Sequence, residues 1–359
     1  MTDGSDGPSR AGHINRQNPL RDEDSSFNSD RNALPTKIEP CREAGAWGSI
    51  ALLITIAAIK TLLTKYIFVH QVKQPVAYSL LSAFVTLLLV SCHGFGSLQL
   101  TAVLRLVPVA LAIAIDLGLS NIAISRLPLA LQQAIASTIP AATILLESVV
   151  RRRCKPLIVY LVITTLCFGA VLGHLGSLPV LVAGSGDADK AYYWAGEAAM
   201  MLAVVAAACK YVFAKDLLHA YREEVGALRL LLWIECMLCA VLLPWSLVTE
   251  ELPQLLHSGL SAVQWGSLCS AAALGGYRFY VELVVLRYWS ATTLSAANLS
   301  AHSLIIVCSI PVFGTPVTPF LVAGTAVTIA ASLAYGWIKI VGADLTVAKA
   351  SDASRLGLW

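Results

Sequence analysis

Charged residues are scarce in this sequence. Of its 359 residues only 13% are Asp, Glu, Lys or Arg, whereas 57% are hydrophobic, and the mean hydropathy is +0.71. In soluble domains about a quarter of all residues are charged. This chain has too few charged groups to cover a water-facing surface. The composition excludes an ordinary soluble protein and indicates a protein that faces lipid over much of its surface.

Motifs of enzyme chemistry are missing as well. The sequence contains no H-E-x-x-H, G-x-S-x-G, D-D-x-x-D or P-loop pattern, and its histidines show no metal-ligand spacing. Its nine cysteines follow no disulfide framework. The net charge of +3 is too small to favour a nucleic-acid partner. We therefore expect neither an enzyme nor a bound metal or cofactor.

The polar residues that are present concentrate at the two ends of the chain. Residues 1–45 are rich in Ser, Asp, Asn and Arg, a composition that cannot bury a core. We predict a disordered tail at 1–45, a helical domain at 46–340 and a short tail at 341–359.

Between the tails the sequence alternates apolar runs with short polar breaks. Each run is roughly twenty residues long, which is the length a helix needs to cross the hydrocarbon of a bilayer. The sequence predicts an all-α integral membrane protein with ten transmembrane helices, near 47–69, 75–93, 103–125, 128–149, 157–178, 192–214, 227–248, 264–286, 290–312 and 317–340.

Basic residues give the predicted orientation, because positive loops stay on the cytosolic side. One set of junctions holds most of them: Arg105, Arg151, Arg152, Arg153, Lys155, Lys215, Arg222, Arg287 and Lys339. We therefore expect both termini, and with them both tails, to be cytosolic.

Ten spans divide into five plus five, and an odd number of helices makes the two halves inverted repeats. The fourth and ninth predicted spans each contain an interior proline, Pro140 and Pro311. Interrupted helices at corresponding places of two inverted halves point to a binding site at the midplane of the membrane. A simple kink without function is the alternative reading of each proline.

A few charged residues lie inside the predicted spans: Lys60, Asp116, Lys210, Glu235, Arg278 and Glu282. Each costs about 2.5–3.5 kcal/mol at a helix centre, so each is expected to face a partner or the interior. Glu282 lies four residues after Arg278 and can pair with it. Lys60 and Lys210 have no acidic neighbour in sequence, and either a cavity or an acid from another helix would explain them.

Asp116 stands one helical turn before Ser120, so the two side chains share a face. Pairing of Asp116 with Lys210 or Arg278 is the favoured reading, and a proton- or substrate-linked role is the alternative. Small residues at Gly169, Gly173 and Gly176 predict close contact between helices. Buried charges, midplane prolines and tight helix contacts together favour a carrier with one polar cavity over a channel.

Three stretches carry a family resemblance: "KYIF...QPVAYSLLSA", "LGLSNIAISRLPLALQQAIASTIPAATILLESVV" and "LRYWSATTLSAANLSAHSLIIVCSIPVFGTPVT". They resemble the triose-phosphate and nucleotide-sugar translocators of the solute carrier family 35 type, within the drug/metabolite transporter superfamily. The resemblance implies ten helices, cytosolic termini and exchange of organic phosphates. It also implies contacts with substrate at Lys65, Ser120, Asn121 and Tyr277.

The sequence departs from this family at two places. Phosphate-binding members usually carry a lysine four residues before the proline of the fourth span and another in the ninth span. Here Ala136 stands at the first place, and Ala301 with His302 at the second. Either other cations replace the lysines, or the substrate is less anionic.

The resulting expectation is an antiporter with alternating access that carries sugar phosphates or nucleotide sugars across a Golgi, ER or related endomembrane. Its counter-substrate would be phosphate or a nucleoside monophosphate. The sequence leaves the oligomeric state open, and a homodimer is one of the options. A permease for a neutral metabolite and a transport-inactive scaffold or regulator are the alternatives. The predicted substrate-binding residues are Lys60, Lys65, Ser120, Asn121, Gln132, Gln133, Lys210, Tyr277, Arg278, Asn298 and His302, with Asp116 and Glu282 as charge partners.

Overall fold

The computed structural model describes residues 40–92, 100–152, 157–182, 187–220, 226–288, 291–314, 318–331 and 333–334. Contacts between residues divide the chain into two units, Met1–Gly45 and Ala46–Trp359. The predicted tail at 341–359 and most of the tail at 1–45 lie outside the described residues. The domain boundaries and the disorder of the tails therefore stay predictions.

All regular secondary structure in these described ranges is helical. The helices in chain order are α1 (Pro40–His70), α2 (Pro75–Ser91), α3 (Leu100–Arg126), α4 (Leu129–Ala136), α5 (Ile139–Arg151), α6 (Leu157–Val182), α7 (Asp187–Ala220), α8 (Ala227–Val248), α9 (Glu251–Leu256), α10 (Ala262–Tyr288), α11 (Ala291–Phe313) and α12 (Pro319–Ala331).

Six helical segments are long and apolar enough to cross a membrane: Gly48–His70, Val103–Arg126, Leu129–Val150, Lys190–Lys215, Ala227–Val248 and Ala262–Leu286. The other four predicted spans coincide with shorter apolar helices at Pro75–Ser91, Leu157–Gly173, Ala297–Phe313 and Pro319–Ala331. The protein is thus a membrane protein that is helical in its described residues. The count of ten spans, the inverted repeat and the orientation of the termini stay predictions.

The fourth predicted span is interrupted, and a proline explains the interruption. α4 ends at Ala136, and α5 begins at Ile139 with Pro140 in its first turn. Proline has no N–H to donate, so it is tolerated in the first turn of a helix and disrupts one that runs through it. At the break the Ser137 hydroxyl donates a hydrogen bond to the Gln133 carbonyl at 2.9 Å.

The ninth predicted span has no such interruption, so the expected break at Pro311 is wrong. α11 is continuous from Ala291 to Phe313, with Pro311 inside it. The ring of Pro311 removes one hydrogen bond, the one to the carbonyl of Val307, and a proline inside a helix can kink it as well as break it. α3 and α8 likewise run through Pro108 and Pro244.

Small residues let neighbouring helices approach closely. The predicted contact at Gly169 and Gly173 of α6 occurs against Gly324 of α12, where an added Cβ would lie 2.4 Å from the Gly173 nitrogen. A Cβ added to Gly276 of α10 would lie 2.1 Å from Thr86 Oγ1 of α2. Larger residues at these glycines would push the helices apart.

The apolar core is divided among several clusters rather than gathered at one centre. The largest surrounds Leu231, Leu238 and Leu242 of α8 and joins side chains of α2, α3, α7 and α10. Another surrounds Ile67 and Tyr78, where α1 and α2 meet α3 and α10. Polar side chains collect between these clusters, and they form the candidate site.

Candidate functional site

A polar cavity of about 160 Å³ lies among helices α1–α5, α7, α8, α10 and α11. One buried water needs roughly 10–15 Å³ by this measure, so the cavity can hold on the order of ten waters. The fold brings together at its wall most residues chosen from the sequence: Lys60, Asp116, Ser120, Asn121, Gln132, Gln133, Lys210, Arg278, Glu282, Asn298 and His302.

Asp116 and Lys210 form an ion pair across α3 and α7. Lys210 Nζ donates to Asp116 Oδ2 at 2.6 Å, and the two side chains are 14% and 15% exposed. The Ser120 hydroxyl, one turn along α3, donates to Asp116 Oδ1 at 3.3 Å. Lys210 Nζ also lies 4.8 Å from the centre of the Tyr211 ring, a cation–π distance. Asp116 and Lys210 are thus each other's charge partner in the structure.

A second ion pair lies within α10. Arg278 Nη2 is 3.1 Å from Glu282 Oε1, one helical turn away. The guanidinium group keeps a spare donor, because Arg278 Nε is buried and has no hydrogen-bond partner among the described residues. Arg278 can therefore hold Glu282 and still donate to a ligand.

Lys60 stands out among the cations of the polar cavity. Its residue is only 8% exposed, yet it forms no hydrogen bond or ion pair with the described residues. Gly275 of α10 lies beside it, and a Cβ added there would be in ordinary van der Waals contact with Lys60 Cε at 3.6 Å. An ammonium group with three donors therefore lines the cavity without a partner in the described part of the chain.

Amide side chains and a histidine form a hydrogen-bonded row between α4 and α11. His302 Nδ1 is hydrogen-bonded to Gln133 Oε1, and Gln133 Nε2 donates to Gln132 Oε1. Gln132 Nε2 in turn lies 3.3 Å from Met200 Sδ of α7. The row fixes three polar side chains that line the cavity, although they lie up to 170 positions apart in the chain.

Asn298 of α11 is held on one side only. Its Nδ2 donates to the Tyr211 hydroxyl at 2.8 Å, while its Oδ1 is buried without a hydrogen-bond partner in the described residues. Asn121 of α3 is held similarly, because its Nδ2 donates to Ser79 Oγ at 2.7 Å. Both residues line the cavity with a fixed amide orientation.

Two residues chosen from the sequence lie apart from the cavity wall. Lys65 Nζ donates to the carbonyl oxygens of Ile124 and Leu127 at 2.7 and 2.8 Å. Tyr277 is 48% exposed and sits on the outside of α10. Ala136 and Ala301, which stand where family lysines were expected, do line the cavity.

Two further residues of the wall were not chosen from the sequence. Glu235 of α8 is 3% exposed, and its Oε2 has no hydrogen-bond partner among the described residues. The signal in the sequence was its position inside an apolar run, because a charged residue there is expected to face the interior. Tyr211 of α7 had no signal, because a tyrosine beside a lysine in a helix is ordinary, and its role depends on Asn298 of a distant helix.

Apolar helices of membrane-spanning length around a cavity with charged and polar side chains define a helical membrane protein. The model of the Triose-phosphate Transporter family matches residues 50–336. The chain belongs to this family of transporters, which confirms the resemblance found in the sequence.

Individual relatives are more distant. UDP-uronic acid transporter 1 of Arabidopsis thaliana is 24% identical over 224 residues, which are 61% of this chain and 68% of that protein. The chloroplastic phosphoenolpyruvate/phosphate translocator 3 of Oryza sativa subsp. japonica is 25% identical over 320 residues, or 83% and 77%. A solved crystal structure shares the fold with a TM-score of 0.51 at 12% identity, over 80% of this chain and 96% of that chain.

Proposed function

We propose that the protein is a secondary transporter that exchanges sugar phosphates or nucleotide sugars across an endomembrane such as the Golgi or the ER. The family and the transport activities for which its relatives are named support a carrier of this class. They do not favour a permease for neutral metabolites or a transport-inactive scaffold. The observation that carries the proposal is Lys60, a cation in the cavity wall without a partner in the described residues.

A phosphate group would satisfy the donors that the protein leaves free. Charge-assisted hydrogen bonds from lysine or arginine to a phosphate are among the stronger polar contacts in proteins. Lys60 offers a whole ammonium group and Arg278 offers its Nε. In this proposal these two residues take over the task of the lysines that are replaced by Ala136 and Ala301.

The remaining polar residues of the wall would bind the rest of the substrate. Ser120, Asn121, Gln132, Gln133 and His302 present hydroxyl, amide and imidazole groups to the same space. We leave Lys65 and Tyr277 outside the binding set, because neither lines the cavity.

Transport would proceed by alternating access, with the cavity opening to one side of the membrane at a time. In this proposal ten spans form two inverted five-helix halves, both termini are cytosolic, and the counter-substrate is phosphate or a nucleoside monophosphate. The close glycine contacts between α6 and α12 and between α2 and α10 are suitable surfaces for sliding helices. The proposal leaves the oligomeric state open, with a homodimer as one option.

The test is exchange in proteoliposomes loaded with inorganic phosphate. Radiolabelled glucose 6-phosphate and UDP-glucuronic acid are offered outside, and initial rates are measured. Lys60→Gln should lower the rate about tenfold to a hundredfold, because a hydrogen bond to a charged group contributes about 1.5–3 kcal/mol. Arg278→Ala and His302→Ala should also abolish most exchange. The matched control is Lys73→Gln, since Lys73 is an exposed lysine outside the cavity wall.

The variants must first give a monodisperse profile in detergent like that of the wild type. Unchanged exchange in both Lys60→Gln and Arg278→Ala would contradict this cavity as the phosphate site. Uptake of uncharged hexose by the wild type without any counter-substrate would instead support the permease alternative.

A further inference from the structure

Glu235 is a buried acid that the described residues leave unpaired. It is 3% exposed in the middle of α8 and lines the polar cavity. Its Oε2 has no hydrogen-bond partner in the part of the chain that the structure describes. The two other acids of the cavity differ, because Asp116 holds Lys210 and Glu282 holds Arg278.

Such a group is costly to keep inside a membrane protein. A carboxyl group away from water loses several kcal/mol unless hydrogen-bond donors or a cation satisfy it. Its neighbours along α8, Ile234, Cys236 and Leu238, supply no strong donor. The described part of the protein offers none, and a ligand that brings hydrogen-bond donors into the cavity would satisfy this group.

A second free acceptor lines the same cavity. Asn298 Oδ1 is buried and has no hydrogen-bond partner among the described residues. The 2.8 Å hydrogen bond from Asn298 Nδ2 to the Tyr211 hydroxyl fixes the amide, so the oxygen cannot be exchanged for the NH₂ group without losing that bond. The wall therefore combines unpaired donors, on Lys60 and Arg278, with unpaired acceptors on Glu235 and Asn298.

A ligand that satisfies this wall needs two kinds of group. An anionic group suits the free donors, and hydrogen-bond donors suit the two acceptors. Sugar hydroxyl groups are such donors, whereas inorganic phosphate and phosphoenolpyruvate in their fully ionised forms have none. Phosphoenolpyruvate also carries a carboxylate, a further acceptor that would face the two free acceptors of the wall, and a mismatch of this kind is an effective means of rejecting a ligand.

We propose that Glu235, together with Asn298, accepts hydrogen bonds from the hydroxyl groups of the substrate's sugar and thereby selects hydroxyl-bearing organic phosphates against phosphoenolpyruvate. The inference rests on the proposed function, because it takes the phosphate to be bound by Lys60 and Arg278. It makes Glu235 a specificity-determining residue of the carrier.

The experiment compares two substrates in one preparation. Full-length protein in phosphate-loaded proteoliposomes takes up radiolabelled glucose 6-phosphate or phosphoenolpyruvate, and the ratio of the two kcat/KM values is the readout. The wild type should prefer glucose 6-phosphate. Glu235→Gln keeps the shape of the side chain but replaces one acceptor oxygen by an NH₂ donor, so it should lower the ratio about tenfold or more. Cys236→Ser, next in sequence and outside the cavity wall, is the matched control and should keep the ratio within about twofold.

Three results would overturn the inference. The first is a preference of the wild type for phosphoenolpyruvate. This test does not depend on the folding of any variant. The second is an unchanged ratio in Glu235→Gln. The third is an equal loss for both substrates, together with loss of the response of uptake to an imposed pH gradient, which would make Glu235 a proton-coupling group instead. A wild type that exchanges no phosphate compound would end the proposed function and this inference together, whereas a wild type with exchange and an unchanged ratio in the variant would end only the inference.

Discussion

Two lysines on α1, five residues apart, are buried to the same extent in different surroundings. Lys60 and Lys65 are 8% and 9% exposed. Lys65 Nζ donates to the carbonyls of Ile124 and Leu127 at the end of α3. The last carbonyls of a helix have no partner within it and carry the negative end of its dipole. Lys65 thus caps a helix, while Lys60 faces the polar cavity without a partner among the described residues.

Two glutamates repeat the comparison. Glu251 Oε2 accepts hydrogen bonds from the backbone N–H groups of Val76 and Ala77, at 2.6 and 3.0 Å, in the first turn of α2. Glu235 lines the cavity with an unpaired Oε2 in the described part of the chain. These two charges at the ends of helices therefore replace missing backbone partners, whereas Lys60 and Glu235 in the cavity have no such partner among the described residues. For the two lysines, residue type and burial alone do not separate the two roles.

The largest expected effect on stability comes from the ion pair of Asp116 and Lys210. Removing one partner leaves a buried charge uncompensated, which costs about 3–5 kcal/mol. Asp116→Ala and Lys210→Ala should each lower the melting temperature of purified protein clearly in a thermal-shift assay. The double variant should recover a large part of the loss, because it buries no lone charge. A double variant that is destabilised by the sum of the single losses would contradict the coupling.

The two lysines of α1 should respond in opposite ways to one substitution. Lys65→Met leaves the carbonyls of Ile124 and Leu127 without their donor, at a cost of about 2–3 kcal/mol. Lys60→Met removes an unpaired buried charge, so the melting temperature should stay the same or rise while phosphate exchange is lost. Thermal shift and exchange are measured on both variants. Equal destabilisation by the two substitutions would contradict the different roles of Lys60 and Lys65.

The sequence was sufficient for the class of protein and for most of the cavity wall. Apolar runs of membrane-spanning length predict helices directly, and charges inside those runs must face inward, which placed Lys60, Lys210 and Arg278 at the cavity. The break at Pro140 was also predicted, because proline acts on its own helix. The unbroken helix at Pro311 was not, since a proline can kink a helix as well as break it and its position in the sequence does not separate the two.

Partners that lie far apart in the chain could not be predicted. Lys65 finds its carbonyls 59 and 62 residues away, and Glu251 finds its N–H groups about 175 residues away. The pairing of Asp116 with Lys210 rather than Arg278 was likewise open, because it depends on how α3 packs against α7. The unpaired state of Glu235 is a property of everything packed around it, and only the assembled helices define it.

The smallest expected effect concerns the pH dependence of the cap at Glu251, which lies outside the membrane-spanning helices. Burial raises the pKa of Glu251 above its usual value, although the N–H groups of Ala77 and Val76 and the charge of Arg126 oppose this. The folded protein therefore holds a proton there more tightly than the unfolded chain does, and the contribution of Glu251 to stability falls as pH rises from its unfolded to its folded pKa. Relative to Glu251→Gln, which does not titrate, the wild type should lose melting temperature across that interval and then level off. The expected change is at most about 1 kcal/mol, or a few degrees, because the group is partly solvated. A wild type that gains stability over Glu251→Gln in the same interval would show that the two N–H hydrogen bonds outweigh burial. The charged form of Glu251 would then stabilise the end of a helix, as Lys65 does.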